Sequence, residues 1–221
     1  MNQTDRSYGE NNPLKDTIKQ FIRAKIIENR LQPGQRVVET EIARELKVSQ
    51  IPVREALCGL EEEGLIKSVK YTGSFVTDID NKEMYHMHLL RSYIESTALE
   101  LTLPNLTKKD FGALHDIVDA MGEKQKSHAD YSAISALDIE FHRTIVAWSG
   151  IEAYNRIWAM LNGHVRRFIN IVHPQIEHKQ DQVYQDHRLL MEILEERDID
   201  KAKAAIKAHI MDVFDRGAIS F

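Results

Sequence analysis

Apolar positions in the first part of the chain fall into three helical runs and then two strand-like ones. Leu14, Ile18, Phe21, Ile22 and Ile26 share one helix face, and Pro33-Gly34 ends that run in a turn. Ile42, Ala43 and Leu46 predict a second, shorter helix with Thr40 as its cap and Lys47-Val48 closing it. Ser49 is the expected N-cap of a third helix running to Gly64. Pro52 suits its first turn, where backbone N–H groups have no intrahelical partner to lose. Two β-prone runs, 65–69 and 74–77, flank Lys70-Tyr71-Thr72-Gly73 and read as a hairpin. From Asp78 onward the period is helical only. Caps and breakers divide it into six helices, near 81–103, 107–126, 131–148, 152–172, 179–196 and 199–215. Thr107 and Asp110 are spaced as a capping box, and Asp198 opens the last helix.

Residues 1–12 carry no periodic apolar pattern and are expected to form a tail. Residues 13–77 and 78–221 then read as two domains. Three short helices followed by a hairpin is the layout of a winged helix-turn-helix, whose third helix enters the major groove while the wing touches backbone or minor groove. The expected fold class is therefore mainly α: an N-terminal winged helix-turn-helix followed by an all-α antiparallel bundle of about six helices.

Composition adds boundaries to this picture. The chain has 221 residues, of which 43% are hydrophobic and 29% charged, so it can bury a core. Its single cysteine, Cys58, excludes an intramolecular disulfide and a cysteine-rich zinc module, and fits a reducing cytoplasm. The first residues are polar, and no window approaches a membrane span, so neither a signal peptide nor an anchor is expected. The net charge of −5 is uneven: residues 1–77 carry +1 and residues 78–221 carry −6. Only the first part can present a basic surface to a polyanion.

The second part holds polar side chains where leucines would be expected. Ile134, Phe141, Ile145 and Trp148 define a stripe through Asp138, and His142 lies one turn further on. His187 shares a face with Val183, Leu190 and Leu194, and His209 with Ala202, Ile206 and Val213. One Asp and three His form a donor set for one divalent transition metal, with zinc heading nickel, iron, manganese and cobalt. Arg91 lies on the stripe of Met84, Met87, Ile94, Ala98 and Leu101, where a guanidinium needs an anion: a ligand carboxylate or Glu95. His164, on the stripe of Ile157, Leu161, Phe168 and Ile171, is a second candidate for an effector cavity. His86, His115, His128 and His178 have no such placement and are expected at the surface.

The phrase Val48-Ser-Gln-Ile-Pro-Val-Arg-Glu-Ala-Leu57, with Leu31-Gln-Pro-Gly34 before it and Leu60-Glu-Glu-Glu-Gly-Leu-Ile66 after it, resembles the GntR superfamily of bacterial transcription regulators. That resemblance runs from about Ile18 to Val76 and includes Gly73 and Val76 of the wing. The helical remainder is similar to the FCD ligand domain of the FadR-like branch. It implies that Arg54 contacts DNA, which suits a guanidinium directed at guanine or phosphate. Ser49, Gln50, Arg54 and Lys47 are the expected DNA-facing residues, with Arg44 and Lys70 reaching phosphates. Gln50 and Ile51 stand where the family pattern has Arg and Thr, and Thr40 where Arg is common, so guanine contacts there are in question. The resemblance also implies an Asp-and-three-His metal site, matched by Asp138-Ile-Glu-Phe-His142, His187 and His209.

These readings converge on a non-enzymatic regulator that binds a double-stranded operator as a homodimer, with a small, carboxylate effector at a metal-containing site. A helical metalloenzyme is the alternative from another class; it leaves residues 1–77 unexplained, and Glu140, the nearest extra carboxylate, points off the Asp138 face. A metal sensor, with the ion itself as effector, is the third reading.

Overall fold

A computed structural model of the chain describes residues 13–127, 129–176 and 179–215. The expected tail at 1–12, and His128 and His178, lie outside the described residues. The chain divides into two compact units between Asp78 and Ile79.

The first unit contains α1 (Pro13–Ile27), β1 (Arg36–Val37), α2 (Glu39–Leu46), α3 (Gln50–Glu62), β2 (Ile66–Val69) and β3 (Gly73–Val76). Ile18, Ile22 and Ile26 of α1 pack with Val53, Ala56, Leu57 and Leu60 of α3, and Leu65, Ile66 and Val76 extend this core under the sheet. The sheet has three antiparallel strands in the order β1-β3-β2. Its third strand, β1, is two residues long and shows no alternation from which pairing could be read. Thr40 does not cap α2: the helix already starts at Glu39, after Val38, which offers no side-chain acceptor. Lys47 ends α2 in the left-handed region at φ 56°, which turns the chain sharply into Ser49 and α3.

The second unit contains α4 (Asn81–Thr102), α5 (Lys108–Lys126), α6 (Tyr131–Trp148), α7 (Glu152–Val172), α8 (Lys179–Glu195) and α9 (Ile199–Asp215), with 3-10 turns at Leu103–Asn105 and His173–Gln175. Asp80 caps α4 by accepting from the N–H groups of Lys82 and Glu83, and Thr107 and Asp110 form the expected capping box on α5. Its main core joins Leu99, Leu114, Val118, Phe141, Ile145, Val165, Leu190 and Ile206. α4 packs against α6, α7 and α9 and thus runs through the middle of the unit. Its buried face is unusually polar, carrying His88, Arg91, Ser92 and Glu95 among the apolar residues. No helix among the described residues is long and apolar enough to cross a membrane.

Candidate functional site

In the first unit, α2 and α3 form the helix pair expected to read DNA. Ser49 occupies the N-cap of α3 without a side-chain cap bond, which leaves its hydroxyl uncommitted to the helix. Buried Pro52, Val53, Ala56 and Leu57 fix one face of α3, and Gln50, Ile51 and Arg54 are exposed on the other. The Arg54 guanidinium is bound by Glu39 of α2, Nη2 to Oε2 at 2.8 Å, and this pairing raises its pKa further. The guanidinium is thereby held at the surface of α3 before any phosphate or base is present. Arg44, Lys47 and Lys70 are exposed as well, and Lys70 lies over the Tyr71 ring at the hairpin tip. Gly73 has φ 128°, a backbone conformation that favours glycine, and a Cβ there would lie 3.0 Å from the Arg36 side chain.

In the second unit, Asp138 and His142 of α6, His187 of α8 and His209 of α9 converge. One ligand atom from each lies within 4.8 Å of the others, close to the span of a coordination shell built on bonds of about 2.1 Å. The three imidazole rings have centroids 4.5–5.5 Å apart. The hydrogen bonds fix which ring atoms face inward. Nδ1 of His187 lies 2.8 Å from the Val183 carbonyl, which only accepts, so Nδ1 carries the proton. Nε2 is then turned to Oδ1 of Asp138 at 3.3 Å. That nitrogen and Oδ2 of Asp138 are buried without a hydrogen-bond partner. A neutral imidazole would set a lone pair against a carboxylate. An added positive charge, a second proton or a metal ion, turns this contact attractive.

The surrounding charges favour an ionised carboxylate. Burial alone would raise the Asp138 carboxyl; the His187 and His142 rings and the Arg91 guanidinium outweigh it and hold the pKa well below the usual range. Glu95, fully buried on α4, is shifted the same way, to about 2: its desolvation is outweighed by Arg91, then by His142 and Trp158. Burial lowers the pKa of His142 from its ordinary value, against the opposing pull of the Glu95 carboxylate. His88 is pushed down to about 4 by burial and then by Arg91.

A cavity of about 30 Å³ adjoins the cluster, lined by Arg91, His88, His173 and Asp186 besides the four convergent residues, and by apolar Ile169, Val183, Ile210 and Val213. Arg91 is bound through Nε to Glu95 at 2.6 Å, so the intrahelical ion pair forms; its Nη2 remains buried and unpaired. His164 does not line this cavity. The buried positions of α7 are Trp158, Val165, Arg167, Phe168 and Ile169, whereas Ile157 is exposed and Leu161 and His164 are half-buried. The Ile157-Leu161 row followed a face about one residue away from the true one. Conversely, His88, Glu95 and His173 are buried at the site although no apolar stripe marked them. Glu95 was expected only as the possible anion of Arg91, and His88, three residues before Arg91 on the same face, could have been flagged by that spacing.

Residues 14–76 match the family described as bacterial regulatory proteins, gntR family, and residues 83–212 match the FCD domain. The Nta operon transcriptional regulator of Aminobacter aminovorans is 27% identical, covering 86% of this chain and 90% of its own. An uncharacterized HTH-type transcriptional regulator of Bacillus subtilis, YdhC, is 25% identical over 85% of this chain and 84% of its own. Among solved structures, a GntR transcriptional regulator from Rhodococcus sp. RHA1 superposes with a TM-score of 0.81 at 18% identity, over 95% of this chain and all of that one, which bears on the fold.

Proposed function

Because the chain belongs to the GntR family of bacterial regulatory proteins and carries an FCD domain, and is thus a DNA-binding transcription regulator and not an enzyme, we propose that a metal-containing site in its second unit controls operator affinity. Asp138, His142, His187 and His209 hold one divalent transition ion. The observation that carries this is the buried Nε2 of His187 facing the Asp138 carboxylate with no donor between them. One carboxylate and three imidazoles converging within 4.8 Å fit the donor set of such a cation. When bound, the ion offers a Lewis-acid point to an anionic oxygen.

Arg91 supports a carboxylate effector, since its unpaired Nη2 belongs to a wall of the same cavity. The cavity holds an ion and a water-sized group; a larger effector must enlarge it. A groove of about 270 Å³ between α8 and α9 shares Asp186 and His209 with it and offers the direction of entry. An effector acts only through unequal affinity for two arrangements, and enlargement of a small cavity is one source of that inequality. The small volume favours a second reading, in which the ion is itself the effector. On the DNA side, Ser49, Gln50, Arg54 and Lys47 face the duplex, with Arg44, Lys70 and the Gly73 wing at the backbone. Exposed Ile51 suits a thymine methyl, and Gln50 an adenine. The protein works in the cytoplasm as a homodimer, since one reading head spans only a half-site.

Operator fragments are selected from the DNA flanking the gene and tested by mobility shift with metal-loaded and chelated protein. Metal or metal plus carboxylate is expected to change operator affinity; an affinity indifferent to both contradicts control through this site.

A further inference from the structure

Glu95 is the most completely buried carboxylate at the site and is not one of the four convergent residues. Both of its oxygens are committed. Oε1 accepts from Nε of Arg91 at 2.6 Å and from Nε1 of Trp158 at 2.7 Å. Oε2 accepts from Nδ1 of His142 at 2.5 Å. An ionised carboxylate only accepts, so the proton of this short contact sits on Nδ1. A neutral His142 then has its lone pair on Nε2, the atom 3.9 Å from Oδ1 of Asp138 within the cluster. The equivalent bond on His187 goes to a neutral carbonyl, whereas His142 is backed by a full negative charge.

We propose that Glu95 is the positioning residue of the metal centre: it fixes the Nδ1-protonated form of His142, turns Nε2 toward the ion and makes that nitrogen a stronger donor. The inference rests on reading Asp138, His142, His187 and His209 as metal ligands. Ion pairing with Arg91 alone would need only Oε1; the separate engagement of Oε2 with a ligand ring is what that simpler role leaves out. Outer carboxylates of this kind orient a ligating ring and raise its basicity, and their loss costs about 10–100-fold in metal affinity. Arg91 and Trp158 in turn hold Glu95 from the side away from His142, so the carboxylate has no freedom to leave the ring.

The test compares wild type, Glu95→Gln and Trp158→Phe, each stripped of metal and titrated with zinc and cobalt(II). Dissociation constants, the visible cobalt spectrum and the melting temperature of the metal-free protein are read together. Glu95→Gln is expected to weaken binding about 10–100-fold and to alter the cobalt spectrum. Trp158→Phe, which disturbs the same network while leaving the Glu95 charge, is expected to lower the melting temperature but keep the spectrum and an affinity within about threefold of wild type, a bound set well below the loss expected for Glu95→Gln. A folded Glu95→Gln with wild-type affinity and spectrum overturns the proposal and leaves Glu95 as the counterion of Arg91. If Glu95→Gln fails to fold, the long-range imidazole 1H–15N spectrum of zinc-loaded wild type decides. His142 protonated at Nδ1 and bound through Nε2 supports the role, and attachment through Nδ1 overturns it. A folded wild type that takes up neither ion overturns the metal reading itself, a result distinct from an unaffected Glu95→Gln.

Discussion

Arg91 and Glu95 show how one buried pair constrains several functions. Neither is exposed to solvent, and removing one partner leaves the other as an uncompensated buried charge. Arg91→Met is therefore expected to cost about 3–5 kcal/mol, measured by denaturant unfolding of the metal-free protein. His88 makes the pH dependence specific. Its folded pKa, about 4, lies below the ordinary value of 6.5, so the unfolded state binds the proton first as acid is added. Its contribution is complete above pH 6.5 and lost progressively from there to about 4, and burial moves His142 in the same direction. Glu95, with a folded pKa of about 2, adds a further loss from about 4.5 downward. The metal-free melting temperature is expected to fall steadily below pH 6.5, and His88→Leu to flatten that fall between 6.5 and 4. An unchanged profile in His88→Leu would remove His88 from this account.

At the scale of elements, helix ends separate stability from DNA contact. Thr107 accepts from the Asp110 N–H and Asp80 caps α4, so either residue changed to Ala is expected to cost about 1 kcal/mol. Ser49 makes no cap bond, so Ser49→Ala is expected to leave the melting temperature nearly unchanged while weakening operator binding. Arg54→Ala is expected to abolish operator binding with an unaltered circular dichroism spectrum; its partner Glu39 remains solvated enough that the fold loses little. Equal operator binding by wild type and Arg54→Ala would contradict the placement of α3 in the groove.

The six helices of the second unit were legible because Thr107, Ser149-Gly150, Pro174 and Asp198 punctuate them where apolar periods change. Asp138, His142, His187 and His209 were legible for a related reason: each interrupts an otherwise apolar row. The buried face of α4 was only partly so. There polar His88, Arg91, Ser92 and Glu95 replace the expected apolar face, and a search for hydrophobic period finds Arg91 by its neighbours but passes over Glu95. The wrong phase on α7 has the converse cause: Ile157, exposed at 45%, looked like core. β1 is too short to carry alternation and exists through its pairing with β3.

At the scale of the whole molecule, a palindromic operator calls for two reading heads, and light scattering is expected to give the mass of a dimer at working concentration. A strict monomer with and without DNA would contradict it. Ligand linkage separates the two effector readings. If a carboxylate is the effector, small mono- and dicarboxylates raise the melting temperature of metal-loaded protein and not of stripped protein; if the ion acts alone, they raise neither.

The central claim is that four side chains from three helices are held together by a common ion. Elemental analysis of protein purified under metal-replete conditions tests it most directly, with His187→Ala and His209→Ala alongside and melting recorded before and after chelation. The expected result is one divalent ion per wild-type chain, depleted in both variants, with a lower melting temperature on its removal. Wild type free of metal, or both variants at full occupancy, would contradict it and leave these residues as core histidines around a buried aspartate.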